Sequence, residues 1–255
     1  MNFIVTASTD IGLTKATNQD SLNVRVYATA RGRLAFAVLC DGMGGLSKGE
    51  VASASVVRAF VKWADTRLAD LSRGEIADSD IRNDWVDIVT TYNQKIQEYG
   101  ILNGIDLGTT VTALLLTKDR YYIINVGDTR AYEITDRVMM LTKDQTLVAR
   151  EVELGLLTDE EARVDSRKNI LLQCVGASDD LYPDLFFGDT KVNAVYMLCS
   201  DGFRHEITTD EIFENLNPGV MIDSEGMRDN VEALIEMNKQ RHERDNITAI
   251  AIRTF

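Results

Sequence analysis

Apolar positions along this chain follow two different periods. Near the start they form short, almost continuous blocks of Val, Ile, Leu, Phe and Tyr at Phe3–Ser8, Leu22–Ala28 and Leu34–Cys40, with turn residues between them. Such blocks predict strands. From about Ser47 to Leu71 the period lengthens. Val51, Ala54, Ser55, Ala59, Val61 and Ala64 recur every three or four residues, as an amphipathic helix requires. A second helix is predicted over Ser79–Tyr99, with Ile81, Trp85, Ile88, Val89, Tyr92 and Ile96 on one face, and Ser79 with Arg82 forms a partial capping signature.

Short β-branched blocks then return at Thr110–Thr117, Tyr121–Val126, Arg130–Ile134 and Val138–Leu141, a spacing that suits an antiparallel meander. Asp144–Lys168 reads as helical and strongly charged, and Thr158-Asp159-Glu160-Glu161 is a helix-start signature. Further strands are predicted near Ile170–Val175, Leu185–Phe187 and Val195–Ser200. Helices follow at about Thr209–Asn215 and Ser224–Arg241, and a closing strand at Ile247–Arg253. Helices interrupting a long run of antiparallel strands predict a layered α/β fold, α-β-β-α, in which two sheets pack face to face with helices outside.

Composition narrows this picture. The 255 residues hold 45% hydrophobic and 26% charged residues, only two prolines and no linker-like stretch, so one domain over residues 1–255 is expected. The net charge of −13 argues against nucleic acid, whose binding needs a basic face. The start Met1-Asn2-Phe3-Ile4-Val5 lacks the features of a signal peptide, and no apolar run approaches the ~18–20 residues of a membrane span. Three cysteines, Cys40, Cys174 and Cys199, all in apolar segments, favour a reducing, cytoplasmic setting.

Candidate chemistry lies in four acidic motifs placed where strands meet turns: Cys40-Asp41-Gly42-Met43-Gly44-Gly45, Val126-Gly127-Asp128-Thr129-Arg130, Cys199-Ser200-Asp201-Gly202 and Arg244-Asp245-Asn246. Each alone is as well explained by a turn aspartate capping local amides. Together they predict an oxygen-rich pocket suited to hard divalent cations such as Mg²⁺ or Mn²⁺, to which the Gly42 carbonyl could add a ligand. Two such ions can activate a water for phosphoester hydrolysis. With only His205 and His242 present, no Ser/His/Asp triad is evident, and neither a Walker loop nor a Rossmann fingerprint occurs.

In their order these motifs resemble the metal-dependent protein phosphatases, the type 2C Ser/Thr phosphatase family, in its compact bacterial form. The likeness also takes in Gly12-Leu13-Thr14-Lys15-Ala16-Thr17-Asn18-Gln19-Asp20, Gly108-Thr109-Thr110 and Leu141-Thr142-Lys143-Asp144. The resemblance implies a β-sandwich flanked by helices with a binuclear Mn²⁺ or Mg²⁺ site at one end. Asp41 would bridge both metals, Asp201 and Asp245 would hold the first, and the Gly42 carbonyl and Asp20 would serve the second. Asp128 would help bind a weaker third. It further implies phosphoserine and phosphothreonine proteins as substrates, an opposing Ser/Thr kinase and a flap over about residues 145–170. From the charge and the apolar pattern no nucleic-acid or membrane partner is expected, and the chain is expected to be a monomer.

Three departures stand out. Lys15 replaces the arginine that grips phosphate in the family, keeping the charge without the bidentate fork. Gln19-Asp20 carries one carboxylate where some members have two. His205 stands where many members place Asp or Asn beside the third metal, which leaves that metal either unsupported or dependent on pH. A catalytically inactive sensor is the main rival reading, against which the intact Asp41, Asp201 and Asp245 argue. A narrow regulatory phosphatase acting on a single partner is the second.

Overall fold

The structure, a computed structural model, describes residues 1–44, 48–74 and 77–255. The predicted helix start at Ser47 and Gly45 of the glycine turn therefore lie outside the described residues. Strands β1 (Phe3–Asp10), β2 (Asp20–Thr29) and β3 (Gly32–Gly44) precede the long helices α1 (Gly49–Arg73) and α2 (Asp78–Asn103). Then come β4 (Leu107–Thr109), β5 (Val111–Leu116), β6 (Arg120–Val126), β7 (Arg130–Ile134) and β8 (Val138–Met140), followed by α3 (Leu147–Glu153), α4 (Asp159–Val164), β9 (Asp184–Asp189) and β10 (Val195–Cys199). The chain closes with α5 (Asp201–Arg204), α6 (Thr209–Leu216), α7 (Ser224–Gln240) and β11 (Ile247–Thr254).

Two antiparallel sheets result. One has the order β1-β11-β10-β7-β8, the other β2-β3-β5-β6-β9, with β4 paired to β3. Alternation along the central strands explains why these strands read as unbroken apolar runs. On β3, Leu34, Phe36, Val38 and Cys40 pack beneath α1 and α2, while Ala35, Ala37 and Leu39 face the opposite sheet. On β10, Val195, Met197 and Cys199 pack beneath the C-terminal helices, while Tyr196 and Leu198 enter the space between the sheets. Burying an aliphatic side chain contributes about 1.5–3 kcal/mol, so a strand covered on both faces fixes its register firmly. This is the four-layer arrangement expected from the sequence. Among the described residues no helix is long and apolar enough to cross a membrane.

Four local expectations are corrected. Strands β5 to β8 do not form one meander: β5 and β6 pair in one sheet, β7 and β8 in the other. The chain changes sheets at Gly127, whose φ of 99° permits the sharp turn, and periodicity carries no record of sheet membership. Residues 170–175 form no strand. Only isolated bridges at Leu171 and Val175 remain, and the Gln173 side chain between them exchanges two hydrogen bonds with the Tyr182 backbone. Asp41 lies within β3 rather than at its end, since β4 extends the pairing to Gly44. Helix α2 is capped at Ala77, whose amide donates to Asp80, leaving Ser79 inside the helix.

Candidate metal centre

Asp20 opens β2 and Asp41 lies near the end of β3, and the two are direct partners in the antiparallel register. Their side chains therefore share one face. The Gly108-Thr109-Thr110 segment holds Asp41 by its backbone: Thr110 Oγ1 accepts from the Asp41 amide at 2.9 Å. Thr109 Oγ1 and the Thr110 amide both donate to the Asp41 carbonyl, each at 2.9 Å. A Cβ on Gly42 would stand 2.3 Å from the Gly49 carbonyl oxygen and 2.6 Å from that of Gln19, so only glycine lets these backbones close up behind the aspartates. Asp20 is tied to the other sheet, where Thr248 Oγ1 donates to its Oδ2 at 2.5 Å.

Asp201 is delivered by β10 as the first residue of α5, and Asp245 by the turn that leads into β11. The missing side chain of Gly202 allows contact with the Asn246 backbone, where a Cβ would come within 2.3 Å of the carbonyl oxygen. Asn246 also gathers the N-terminal loop. Its Oδ1 accepts from the Gln19 amide at 2.9 Å, and its Nδ2 donates to the Ile11 carbonyl at 2.9 Å. That loop carries Lys15, whose Nζ lies 2.7 Å from Asp245 Oδ1.

Glu243 is the hub of this region. Its Oε1 accepts from the amides of Arg244 and Asp245 at 2.7 and 2.8 Å, and its Oε2 lies 3.1 Å from His205 Nδ1. The opposite edge of the same imidazole, Nε2, stands 3.6 Å from Asp201 Oδ2. Burial opposes charge on His205, but the Glu243 bond and the Asp201 charge outweigh it and raise its pKa.

Asp128 follows the crossing at Gly127 and is only 5% exposed. Arg204 Nη2 donates to its Oδ2 at 3.1 Å and to its carbonyl at 3.2 Å. The same Nη2 stands 3.5 Å from Asp144 Oδ2, and Asp144 in turn receives a two-pronged contact from Arg130 at 2.8 and 2.7 Å.

The carboxylates act on one another. Burial, followed by the charges of Asp20, Asp201, Asp128 and Asp245, pushes the Asp41 carboxyl well above the usual range. Burial leads for Asp20 too, with the Asp201 charge adding to it against the Thr248 hydroxyl, and its pKa rises. Among the described residues no three acidic, histidine or cysteine side chains already close on a single ion position. Asp245 faces Lys15, Asp128 faces Arg204 and Asp201 faces His205, whereas among the described residues Asp41 and Asp20 form no ion pair.

The donor set fits two hard divalent ions. Asp20 Oδ1 and Asp201 Oδ1 are buried with no hydrogen-bond partner among the described residues, which is costly for anionic oxygens unless a cation completes them. The Gly42 carbonyl lies close against Gly49, where a Cβ would stand 2.7 Å from its carbon and 2.8 Å from its oxygen. Sequence reasoning brought Asp20, Asp41, Gly42, Asp128, Asp201, Asp245, Lys15 and His205 to this end of the sandwich, and all eight are found there. It missed Glu243 and Arg204. Glu243 has one legible signal, an acidic side chain two residues before a candidate ligand. Arg204 has one as well, a cation three residues after Asp201.

Known proteins place the chain. A family model described as Protein phosphatase 2C matches residues 14–249. A "Putative protein phosphatase 2C-type" of Streptococcus pyogenes is 30% identical over 96% of this chain and 94% of its own length. The S. agalactiae serine/threonine phosphatase structure is similar over the whole of both chains, with a TM-score of 0.85 and 28% identity. The catalytic domain of the serine/threonine protein phosphatase PstP, solved in complex with two manganese ions, gives a TM-score of 0.78 and 28% identity over 98% of this chain and 97% of its own. Full-length PstP of Mycobacterium tuberculosis is 30% identical, and the chain spans 43% of it. With its motifs in order, its two sheets and its clustered aspartates, the chain belongs to the protein phosphatase 2C family.

Proposed function

We propose that this chain is a metal-dependent protein serine/threonine phosphatase that hydrolyses phosphoserine and phosphothreonine with Mn²⁺ or Mg²⁺ held by Asp20, Asp41, the Gly42 carbonyl, Asp201 and Asp245. The observation that carries this reading is the cross-strand pair Asp20–Asp41 beside Asp201, with Asp20 Oδ1 and Asp201 Oδ1 buried and unpartnered. Like charges directly opposite in a sheet are destabilising, and a bound cation would relieve that cost. The two manganese ions of the PstP catalytic domain support a count of two.

Bound there, the ions would supply an activated water and neutralise charge on the phosphoryl group. The protein's own residues do the rest. Asp41, at the centre of the carboxylates, sets the spacing of the site. Lys15, on the rim beside Asp245, is the cation best placed to orient a phosphate oxygen, since an ammonium makes a point contact rather than a fork. Without bound cations the acidic centre would repel a phosphate dianion, so turnover is expected only with metal.

Phosphoproteins marked by a Ser/Thr kinase are the proposed substrates. The chain is proposed to work as a single catalytic domain and a monomer in the cytoplasm. The buried free thiols Cys40, Cys174 and Cys199 agree with a reducing setting. Residues 145–170, which hold α3 and α4, are proposed as a flap that bears on substrate choice. The test is hydrolysis of p-nitrophenyl phosphate and a phosphothreonine peptide with EDTA, Mg²⁺ or Mn²⁺, alongside Asp201→Ala. Manganese-dependent turnover lost in EDTA and in the variant supports the reading. Metal binding without turnover would turn it toward the inactive sensor.

A further inference from the structure

The short helix α5 and the residue that follows it place Arg204 and His205 in succession behind Asp201. His205 turns toward Asp201 and Glu243, and Arg204 turns toward Asp128. The Arg204 contact is a built one. Its side chain is 14% exposed against 8% for Asp128, and one nitrogen, Nη2, reaches both the Asp128 carboxylate and the Asp128 carbonyl. The same Nη2 also stands 3.5 Å from Asp144 Oδ2, but Arg130 grips both Asp144 oxygens at 2.8 and 2.7 Å and the shorter Arg204 contacts are those to Asp128. A guanidinium keeps its charge at any working pH, so this positive charge is permanent.

A third divalent ion does not fit this arrangement. It would need Asp128 as a ligand, and Asp128 already faces the Arg204 guanidinium. An ion placed against Asp128 would also stand beside a fixed positive charge at short range and low exposure, where repulsion between like charges is weakly screened. No carboxylate stands at position 205 to offset that repulsion.

We propose that Arg204 is the resident cation of Asp128, standing where a third metal ion would otherwise bind, so that this phosphatase works with two ions and an arginine. This rests on the two-ion reading above. Asp128 then serves as a positioning residue that holds Arg204 at the edge of the centre, and a chelator would leave that charge in place.

The test is the number of Mn²⁺ ions bound by the full chain, followed by calorimetry and by the Mn²⁺ electron paramagnetic resonance signal up to millimolar metal. Wild type, Asp128→Asn, Arg204→Thr and the double variant are compared. Two ions in wild type and in Asp128→Asn, a third weaker one in Arg204→Thr, and its loss in the double variant are expected. Three ions in wild type, with one lost in Asp128→Asn, would overturn the inference while leaving the phosphatase reading intact. So would an Arg204→Thr variant that still binds only two. Should Arg204→Thr fail to fold, the comparison of wild type with Asp128→Asn decides alone. No manganese bound by wild type would overturn both readings.

Discussion

Asp20 on β2 and Asp41 on β3 stand directly opposite one another across an antiparallel pair, two carboxylates where a sheet ordinarily places attraction. Cβ atoms at such positions are about 4.5–5.5 Å apart. The repulsion is part of the fold's cost in the metal-free state. Replacing Asp41 with alanine should therefore abolish turnover and yet raise the melting temperature in EDTA by about 2–4 °C, or on the order of 1 kcal/mol for a chain of this size. Thermal unfolding followed by circular dichroism checks this. A lower melting temperature would mean that Asp41 is held by attractions that the structure does not contain.

The same carboxylates set a pH dependence. Asp20 is pushed up to about 7 by burial and by Asp201, and burial and the neighbouring carboxylates raise Asp41 well above its ordinary value. An acid whose pKa is higher folded than unfolded keeps its proton longer in the native state, so stability falls as pH rises between the two values. His205 acts in the same direction. Its folded pKa lies above 6.5, and the stabilisation it brings when charged is lost as pH rises through that folded value. Asp144 and Glu243, both lowered, act mainly below the ordinary carboxylate range and stay outside this window. Urea unfolding in EDTA should thus show stability declining from about pH 5 to about pH 8, with Mn²⁺ restoring more of it at higher pH, because the metal binds only the deprotonated oxygens. A flat profile would show that the carboxylates do not repel one another in the folded chain.

Lys15 joins substrate binding to metal binding. Its ammonium pairs with Asp245 at 2.7 Å, and the Asp245, Asp41 and Asp201 charges raise its pKa despite burial. Both partners are about one-third exposed, so the pair is worth at most about 1 kcal/mol. Lys15→Met should tighten Mn²⁺ binding by up to about fivefold, since the ion no longer competes with an ammonium for Asp245. It should also raise KM for p-nitrophenyl phosphate, whereas Lys15→Arg should lower it. Calorimetry and steady-state kinetics separate the two effects. Weaker metal binding in Lys15→Met would remove the competition, and an unchanged KM in both variants would move Lys15 out of the phosphate site.

Much of this was legible in the residues. The double-faced strands β3, β5, β10 and β11 announced themselves as apolar runs because helices cover one face and the partner sheet the other. Asp41, Asp128 and Asp201 were legible because each stands beside a glycine after or within an apolar run, Asp245 because it precedes the run from Ile247, and Asp20 only through the family resemblance. Sheet membership was not legible, since β5–β6 and β7–β8 share the same period and only the turn at Gly127 separates them. The roles of Glu243 and Arg204 were hidden for a different reason. Each is an ordinary charged residue in a charged chain, and what distinguishes it is burial and a partner 38 or 76 positions away.

Glu243 shows how a residue outside the set of expected ligands governs the site. One of its oxygens fixes the amides of Arg244 and Asp245 and so the direction of the Asp245 carboxylate, while the other orients His205 against Asp201. Glu243→Ala leaves two amides without their acceptor, a loss of about 1–3 kcal/mol in stability. Because it frees the aim of two ligand-bearing segments at once, Mn²⁺ affinity should drop by about 10–100-fold, the range usual for residues that orient metal ligands. Glu243→Gln keeps a carbonyl for the amides and should retain stability, yet it removes the charge that faces His205. The His205 titration followed by NMR should then shift downward in both variants, while only Glu243→Ala should lose stability. An unmoved His205 midpoint would dissolve the proposed link between the two halves of the centre.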